Sequence, residues 1–224
     1  MTTTTTDTRI LSADTGRKAP PLVQIVDDDP SVREALAELL ESADFTTRCF
    51  ESAQAFLEAE TPRQASCVLL DMRLEKVSGL DVQASMRARR CETPIIFMTG
   101  YGTIPMTVQA MKGGAIEFLT KPIADDVLIQ AVRTALVIDA ARLEAESVDA
   151  DLRLRFASLT PRECEVMALA VGGLMNKQLA AELGTSEITA KVHKRHVMEK
   201  MGARSLADLV LAAEKLGIGA AKRR

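Results

Sequence analysis

The chain has few residues of the kinds that build disulfide frameworks or metal sites. Its 224 residues include only two histidines, His193 and His196, and four cysteines without a CxxC pair: Cys49, Cys67, Cys91 and Cys164. That spacing argues against a disulfide framework and against a zinc site, and it favours reduced, mostly buried thiols. We also expect no metal site at the two histidines.

Long apolar runs are also missing from the chain. No run approaches the roughly 18 apolar residues of a membrane-spanning helix. The amino terminus contains five consecutive threonines and lacks the apolar segment of a signal peptide. We therefore expect a soluble, cytoplasmic protein that has no membrane partner and whose residues 1–20 are disordered.

Charge is divided unevenly along the chain. Residues 1–157 hold 17 Lys and Arg against 24 Asp and Glu, a balance of −7, whereas residues 158–224 hold 11 against 7, a balance of +4. This division indicates two modules, of which the second faces a polyanion. Chance segregation of charge onto two solvated faces is the alternative.

Short apolar runs in the first module end at reactive side chains. The run 22–26 ends at Asp27 and Asp28, 68–70 at Asp71, 95–98 at Thr99, and 116–119 shortly before Lys121. A further β-rich run covers 45–50, and helical patterns separate all five runs. This alternation predicts a doubly wound parallel sheet of five strands in the order 2-1-3-4-5, with ligands at the carboxyl ends of the strands.

A charged segment without proline or glycine connects the two modules. From Asp126 to about Arg155, apolar residues recur at helical spacing among charged ones. We expect the last helix of the first module to continue through this segment, although residues 147–149 offer a point at which it could break. The predicted domains are a first module at 21–138, a helical linker at 139–157, a second module at 158–217 and a basic tail at 218–224.

The second module has the pattern of a four-helix domain. Thr160 and Glu163 have the spacing of a capping box at the start of its first helix. A short helix over 176–183, a glycine-containing turn, a basic helix over 187–201 and a last helix over 206–216 follow. A short helix, a glycine-containing turn and a longer basic helix together indicate a helix-turn-helix DNA-binding module.

The predicted sheet brings together Asp27, Asp28 and Asp71 at the ends of its first and third strands. Carboxylates this close repel one another unless a cation lies among them. A site that has only a few carboxylates and leaves room for water is the kind that binds Mg²⁺. Asp71 could then attack a phosphoryl group in line, while Thr99 and Lys121 contact the phosphoryl oxygens. The alternative is that acidic residues merely end strands in solvated loops.

Both modules resemble a known family. Asp27-Asp28, Asp71, Thr99 and Lys121-Pro122 resemble the receiver domain of a two-component response regulator, and residues 159–202 resemble the LuxR-type helix-turn-helix. The combination resembles the FixJ/NarL group over residues 20–217. This resemblance implies phosphoryl transfer from a sensor histidine kinase to Asp71, a homodimer when phosphorylated, binding to double-stranded DNA and contact with RNA polymerase.

The resemblance also implies roles for particular residues. It implies Mg²⁺ held by Asp27, Asp28, Asp71 and the main-chain carbonyl of Arg73, together with a cis Lys121-Pro122 bond. It further implies a switch in which Thr99 moves inward while Phe118 reorients. Two residues depart from the family pattern. Glu75 replaces the usual proline and puts another carboxylate near the metal, and Met175 replaces a capping residue, so we expect Asn176 to cap that helix.

The basic helix carries most of the predicted DNA contacts. Lys191, Lys194 and Arg195 fall within about 100° of one another and form a stripe that faces a polyanion. The resemblance implies that Lys191, Val192 and Arg195 face base edges, that Thr189, Lys194 and His196 favour phosphates, and that Asn176 and Lys177 belong to the same interface. An ordinary solvated basic face is the alternative.

An enzyme is the main rival to a regulator. Aspartyl-phosphate phosphohydrolases also place an Asp at the end of a parallel strand, but they typically need a second acidic residue two positions later, where this chain has Arg73. That hypothesis also leaves residues 158–217 unexplained, as does a receiver that docks only protein partners. The sequence therefore favours a DNA-binding regulator that is not an enzyme.

Overall fold

The computed structural model describes residues 20–219. Residues 1–19 of the predicted disordered segment and residues 220–224 of the basic tail lie outside that range. The chain divides into two compact units between Leu143 and Glu144, and each is described here by itself. Within residues 20–219, no helix is both long and apolar enough to cross a membrane.

The first unit alternates strands and helices. Its elements are β1 (Leu22–Val26), α1 (Pro30–Ser42), β2 (Thr46–Phe50), α2 (Ala53–Glu58), β3 (Ser66–Asp71), α3 (Gly79–Ala88), β4 (Ile95–Thr99), α4 (Ile104–Lys112), β5 (Glu117–Thr120) and the start of α5 (Asp125–Ala157). Among the described residues, five parallel strands form one sheet in the order β2-β1-β3-β4-β5. The predicted fold class of this module is confirmed.

Both faces of the sheet are covered, which explains the continuous apolar runs of β1, β3 and β4. Every residue of these three strands is buried. Alternate side chains enter different cores: Leu70 and Phe97 pack with α2 and α3, whereas Leu69 and Ile96 pack with α1 and α5. Burial on both faces produces unbroken hydrophobic strands in parallel sheets, instead of the alternating pattern of a half-exposed sheet.

The register of the strands aligns the predicted site residues. Val26 of β1 is opposite Leu70 of β3, so Asp27 and Asp71 follow at the same level of the sheet. In the same way, Asp71 is opposite Met98, and Thr99 is opposite Thr120. The chemistry-bearing side chains therefore gather at one edge because parallel strands end together there.

The helix α5 continues from Asp125 to Ala157 without a break at residues 147–149. Its Asp139 is fully buried in the first unit, where Oδ2 accepts a 2.8 Å hydrogen bond from the Ser66 amide and Oδ1 lies 2.8 Å from the Arg142 guanidinium. Leu152 and Phe156 pack against the core of the second unit. The amino-terminal end of the segment 139–157 thus belongs to the first unit, and its carboxyl-terminal end belongs to the second.

The second unit is helical. After the end of α5 it contains α6 (Pro161–Val171), α7 (Asn176–Leu183), α8 (Glu187–Met201) and α9 (Leu206–Lys215). The fully buried side chains larger than alanine at the centre of its core are Val166, Met167, Leu179, Val197 and Leu209. The Thr160–Glu163 capping box is present at α6. Gly184 ends α7 in a left-handed conformation, with φ +61°, and this turn leads into α8.

The expected cap of α7 is wrong. Asn176 is the first residue of the helix, Met175 occupies the N-cap position, and Gln178 Oε1 accepts a hydrogen bond from the Met175 amide at 2.9 Å. Because Asn176 already lies inside the helix, its side chain does not cap the first turn. Its Oδ1 is buried and has no hydrogen-bond partner among the described residues.

The expectation of mostly buried thiols is also wrong. All four cysteines are free, but only Cys67 on the central strand β3 is buried, and burial raises the pKa of its thiol to about 12. Cys49 is exposed because β2 is an edge strand with mostly exposed side chains, and Cys91 and Cys164 are half-buried.

Candidate functional site

A lysine bridges two buried carboxylates at the carboxyl edge of the sheet. Lys121 Nζ lies 2.7 Å from Asp27 Oδ2 and 2.7 Å from Asp71 Oδ1. Asp27 is 1% exposed and Asp71 is 7% exposed. Burial alone would lower the pKa of Lys121, but its hydrogen bonds to the two carboxylates outweigh that effect and raise the pKa above its ordinary value. Lys121 is therefore an ammonium ion between two acidic groups.

Backbone amides fix the other oxygen of each carboxylate. Asp27 Oδ1 accepts from the Asp29 amide at 3.0 Å, and Asp71 Oδ2 accepts from the Arg73 amide at 2.6 Å. Arg33, on α1, donates to the carbonyl oxygen of Asp27 at 2.7 Å. The two side chains are consequently oriented before any ligand arrives, which is the arrangement that positioned chemistry requires.

The third predicted carboxylate is placed differently. Asp28 is exposed, and residues 20–219 contain no group of three or more His, Cys, Asp or Glu side chains arranged to hold a metal ion. Lys121 lies between the two carboxylates that come together. The donor chemistry still fits Mg²⁺: the three aspartates carry three negative charges against one ammonium, and their oxygens are hard ligands. A divalent cation would balance that charge.

The loop after Asp71 approaches the strand too closely for a side chain at Gly79. A Cβ at this position would lie 2.6 Å from the Asp71 carbonyl oxygen and 2.9 Å from the Phe97 ring. An antiparallel bridge between Arg73 and Ser78 closes the loop, which contains the exposed Glu75 in place of the family's proline. A glycine is thus needed where α3 begins beside the site.

The two predicted switch residues, Thr99 and Phe118, both lie close to Gly102 in the loop after β4. Thr99 is 1% exposed, its Oγ1 accepts a 3.2 Å hydrogen bond from the Tyr101 amide, and its carbonyl accepts from the Lys121 amide at 2.7 Å. Phe118 is half-buried, with its ring centroid 6.2 Å from that of Phe97. A Cβ at Gly102 would lie 3.0 Å from Phe118 and 3.2 Å from Thr99, so little space separates them. The Lys121-Pro122 bond is cis.

Arg73 and Tyr101 form a contact at the site that was not predicted from the sequence. The Arg73 guanidinium lies 4.8 Å from the centroid of the Tyr101 ring, a cation–π distance, and Tyr101 is 71% exposed. The pair joins the loop after β3 to the loop after β4. The sequence feature that could have indicated this contact is position: Arg73 lies two residues after Asp71, and Tyr101 lies two residues after Thr99.

In the second unit, α8 has one buried face and one exposed face. Ala190, Val197 and Met201 are buried. Of the predicted DNA contacts, Asn176 and Lys194 are half-buried, and the others are exposed: Lys177, Thr189, Lys191, Val192, Arg195 and His196. The short α7, the turn and the longer α8 have the arrangement of a helix-turn-helix. Its solvent side is the predicted nucleic-acid surface.

Two ion pairs position α8 and its side chains. Lys200 Nζ lies 2.6 Å from Glu163 Oε2, which joins α8 to the capping box of α6. Arg195 Nε donates to Glu199 Oε1 at 2.7 Å, and both side chains are exposed. Glu199 was not among the predicted residues, although its spacing of four from Arg195 is the usual signal for a pair on one helix face.

Comparisons with known proteins agree with both halves of the molecule. A family model described as the response regulator receiver domain matches residues 23–133. A second model, described as bacterial regulatory proteins of the luxR family, matches residues 157–213. The two matches correspond to the doubly wound unit and to the helical unit.

Relatives of known class match most of the chain. Nodulation protein W of Bradyrhizobium diazoefficiens is 49% identical over 199 residues, which cover 89% of this chain and 88% of that protein. The structure of the response regulator StyR is 48% identical with a TM-score of 0.81, covering 88% of this chain and all of that one. Full-length FixJ from B. japonicum is 38% identical with a TM-score of 0.54, covering 90% and 98%. The chain therefore belongs to the two-component response regulators of the FixJ group, transcriptional regulators rather than enzymes, and it combines a receiver domain with a LuxR-type DNA-binding domain.

Proposed function

We propose that a sensor histidine kinase phosphorylates this regulator on Asp71 and that phosphorylation controls its binding to operator DNA. The observation that carries the proposal is the 2.7 Å contact of Lys121 with both Asp27 and Asp71. A nucleophilic carboxylate needs nearby positive charge to receive an anionic phosphoryl group. In the first unit, Lys121 supplies that charge.

The proposed transfer is a displacement at phosphorus. An oxygen of Asp71 forms the new bond to phosphorus while the bond between phosphorus and the kinase histidine breaks, and the electron pair leaves with the imidazole nitrogen. The ammonium of Lys121 and the hydroxyl of Thr99 donate to the phosphoryl oxygens. Mg²⁺, held by Asp27, Asp28, Asp71 and the carbonyl of Arg73, would neutralise further charge on those oxygens.

Labelling with acetyl phosphate tests the phosphoacceptor. We expect Asp71→Asn to abolish labelling in the presence of Mg²⁺ without altering the fold, because an amide is not a nucleophile here. EDTA should block labelling of the parent chain. The exposed Asp126→Asn on α5 is the matched control and should label normally. Label retained on the Asp71 variant and mapped to another residue would contradict the assignment.

We propose that phosphorylation joins two receivers through α4. Three apolar side chains one turn apart are exposed on this helix, which follows the loop of Thr99: Ile104 at 82%, Val108 at 45% and Met111 at 43%. A homodimer would bring two DNA-binding modules to paired half-sites and raise the effective concentration of the second. RNA polymerase is the proposed partner at the promoter, and the cytoplasm is the proposed location.

The uninterrupted helix α5 supports a coupling role for residues between the units. A helix holds what it joins at a defined spacing, whereas a glycine-rich segment only tethers it. We expect four glycines inserted after Ala145 to leave phosphorylation-driven dimerisation intact and to reduce the gain in operator affinity. Sedimentation and operator titration, with and without a phosphoryl analogue, measure the two effects. An unchanged gain would mean that α5 is a passive tether.

A further inference from the structure

The solvent side of α8 carries two large apolar residues. Ile188 is 78% exposed, the largest value for a big apolar side chain in the described part of the second unit, and Val192 is 45% exposed. Single exposed apolar residues are common on protein surfaces. These two are four residues apart, so their side chains adjoin on one helix face. They form an exposed aliphatic pair on a basic helix.

The aliphatic pair shares its helix face with Arg195, whose guanidinium is oriented by its hydrogen bond to Glu199. At about 100° per residue, Ile188, Val192, Arg195 and Glu199 fall within about 60° of one another. The buried Ala190, Val197 and Met201 lie on the opposite side of the helix. The centre of the exposed face is therefore aliphatic at its amino-terminal end and carries Arg195 further along.

We propose that Ile188, together with Val192, recognises the 5-methyl groups of thymine in the major groove, beside the base contact of Arg195. The inference rests on the proposed binding of operator DNA by α8. The thymine methyl is the apolar group that a base pair presents in that groove. Ile188 is the second residue of α8, and the amino-terminal residues of a recognition helix approach the base edges most closely.

Charge favours DNA over an apolar protein partner for this face. Lys191 and Lys194 lie on one side of the aliphatic pair, and His193 and His196 lie on its other side. A protein surface that buried Ile188 and Val192 would also have to accommodate the two lysine ammonium groups, whereas the phosphates beside a groove pair with them. The combination of an aliphatic centre with an adjacent lysine pair thus suits a groove that presents methyl groups between phosphates.

The spacing gives the expected distance between the recognised methyl groups. Four residues of helix rise by about 6 Å, and successive base pairs are about 3.4 Å apart. The two methyl groups should therefore lie within about two base pairs of each other in each half-site. Glu199 Oε1 accepts a hydrogen bond from Arg195 Nε, so we expect the two Nη groups of Arg195 to make the contact with a guanine.

Selection from random-sequence duplexes with the phosphorylated full-length chain supplies the probe. Each thymine of the enriched duplex is then replaced by deoxyuridine, which keeps base pairing but lacks the methyl group. We expect about three- to fivefold weaker binding by the parent at one or two positions in each half-site. Ile188→Ala should lose that sensitivity at one of these positions. Leu154→Ala, which removes a different exposed aliphatic side chain of the second unit, should keep it.

The outcomes separate this inference from the function on which it rests. A pool that does not enrich would contradict sequence-specific DNA binding itself, and with it the inference. An enriched duplex whose affinity is insensitive to deoxyuridine, or equally sensitive in the parent and in Ile188→Ala, would overturn methyl recognition by Ile188 alone. Equal weakening of Ile188→Ala on enriched and random duplexes would also overturn it, because a specificity residue acts on selected sequences.

Discussion

Replacing Lys121 by methionine should destabilise the receiver more than its partly exposed position suggests. The substitution keeps a long side chain but removes the ammonium that lies 2.7 Å from both Asp27 and Asp71, which are 1% and 7% exposed. Removing one partner of a buried ion pair typically costs about 3–5 kcal/mol, since a buried charge is left uncompensated. Because the lysine side chain is 27% exposed, we expect about 3 kcal/mol.

Urea unfolding in the absence of divalent cations measures this loss. The chain has no tryptophan and a single tyrosine, Tyr101, so tyrosine fluorescence reports on the first unit alone. A probe confined to one unit is needed because two-unit chains need not unfold in one step. Lys112→Met, which removes an exposed lysine of α4, is the charge-matched control and should change stability by less than about 0.5 kcal/mol.

Two further measurements test the cause of the effect. In a double-mutant cycle with Asp27→Asn, the combined loss should be smaller than the sum of the single losses by at least about 1 kcal/mol. Added Mg²⁺ should stabilise Lys121→Met more than the parent, because a divalent cation replaces the missing positive charge. A loss no greater than that of Lys112→Met, or additive losses in the cycle, would refute the reasoning.

Three other predictions follow from single contacts. Hydrogen bonds from Lys200 and Thr160 lower the pKa of Glu163 from its ordinary 4.5 to about 2, so its stabilising effect is complete above pH 4.5 and is lost as the pH falls towards 2. Glu163→Gln should therefore be less stable at pH 7 and show a smaller loss of stability between pH 4.5 and 2 in urea unfolding followed by circular dichroism. Gly79→Ala places a Cβ 2.6 Å from the Asp71 carbonyl and should cost about 1–3 kcal/mol and slow acetyl phosphate labelling; normal labelling and stability would contradict this. Arg195→Ala should weaken binding to a selected duplex by about 1–3 kcal/mol, whereas Lys194→Ala should weaken all duplexes alike and reduce the salt slope by about one; identical behaviour of the two would contradict the division of roles.

The fold was predictable because each local pattern agreed with the same topology. Apolar runs ended at Asp27, Asp71 and Thr99, and parallel strands end together, so their order along the chain was enough to gather these residues at one edge. The second unit was predictable from its caps: Thr160 with Glu163 began α6, and Gly184 marked the turn before α8. Such signals span only three or four residues, so they can be recognised in the sequence without knowledge of tertiary contacts.

Contacts between distant residues could not be predicted in the same way. The strand ends predicted Asp28 beside the other carboxylates. In the structure Asp28 is exposed, and Lys121, which is 94 residues from Asp27 along the chain, lies between Asp27 and Asp71. The stacking of Arg73 on Tyr101 likewise depends on two loops that meet only after the sheet has formed. Periodicity shows which face of an element is buried, but it does not identify partners across the fold.

Asp139 shows a contact that the helical pattern of the sequence could not indicate. A charged residue in a helical pattern is normally assigned to the solvent face, and the predicted linker accordingly began there. In the structure Asp139 is fully buried because the Ser66 amide and the Arg142 guanidinium satisfy its carboxylate. Ser66 is the first residue of β3, and Asp71 is the last. The strand that carries the proposed phosphoacceptor is therefore held at its opposite end by a hydrogen bond to α5.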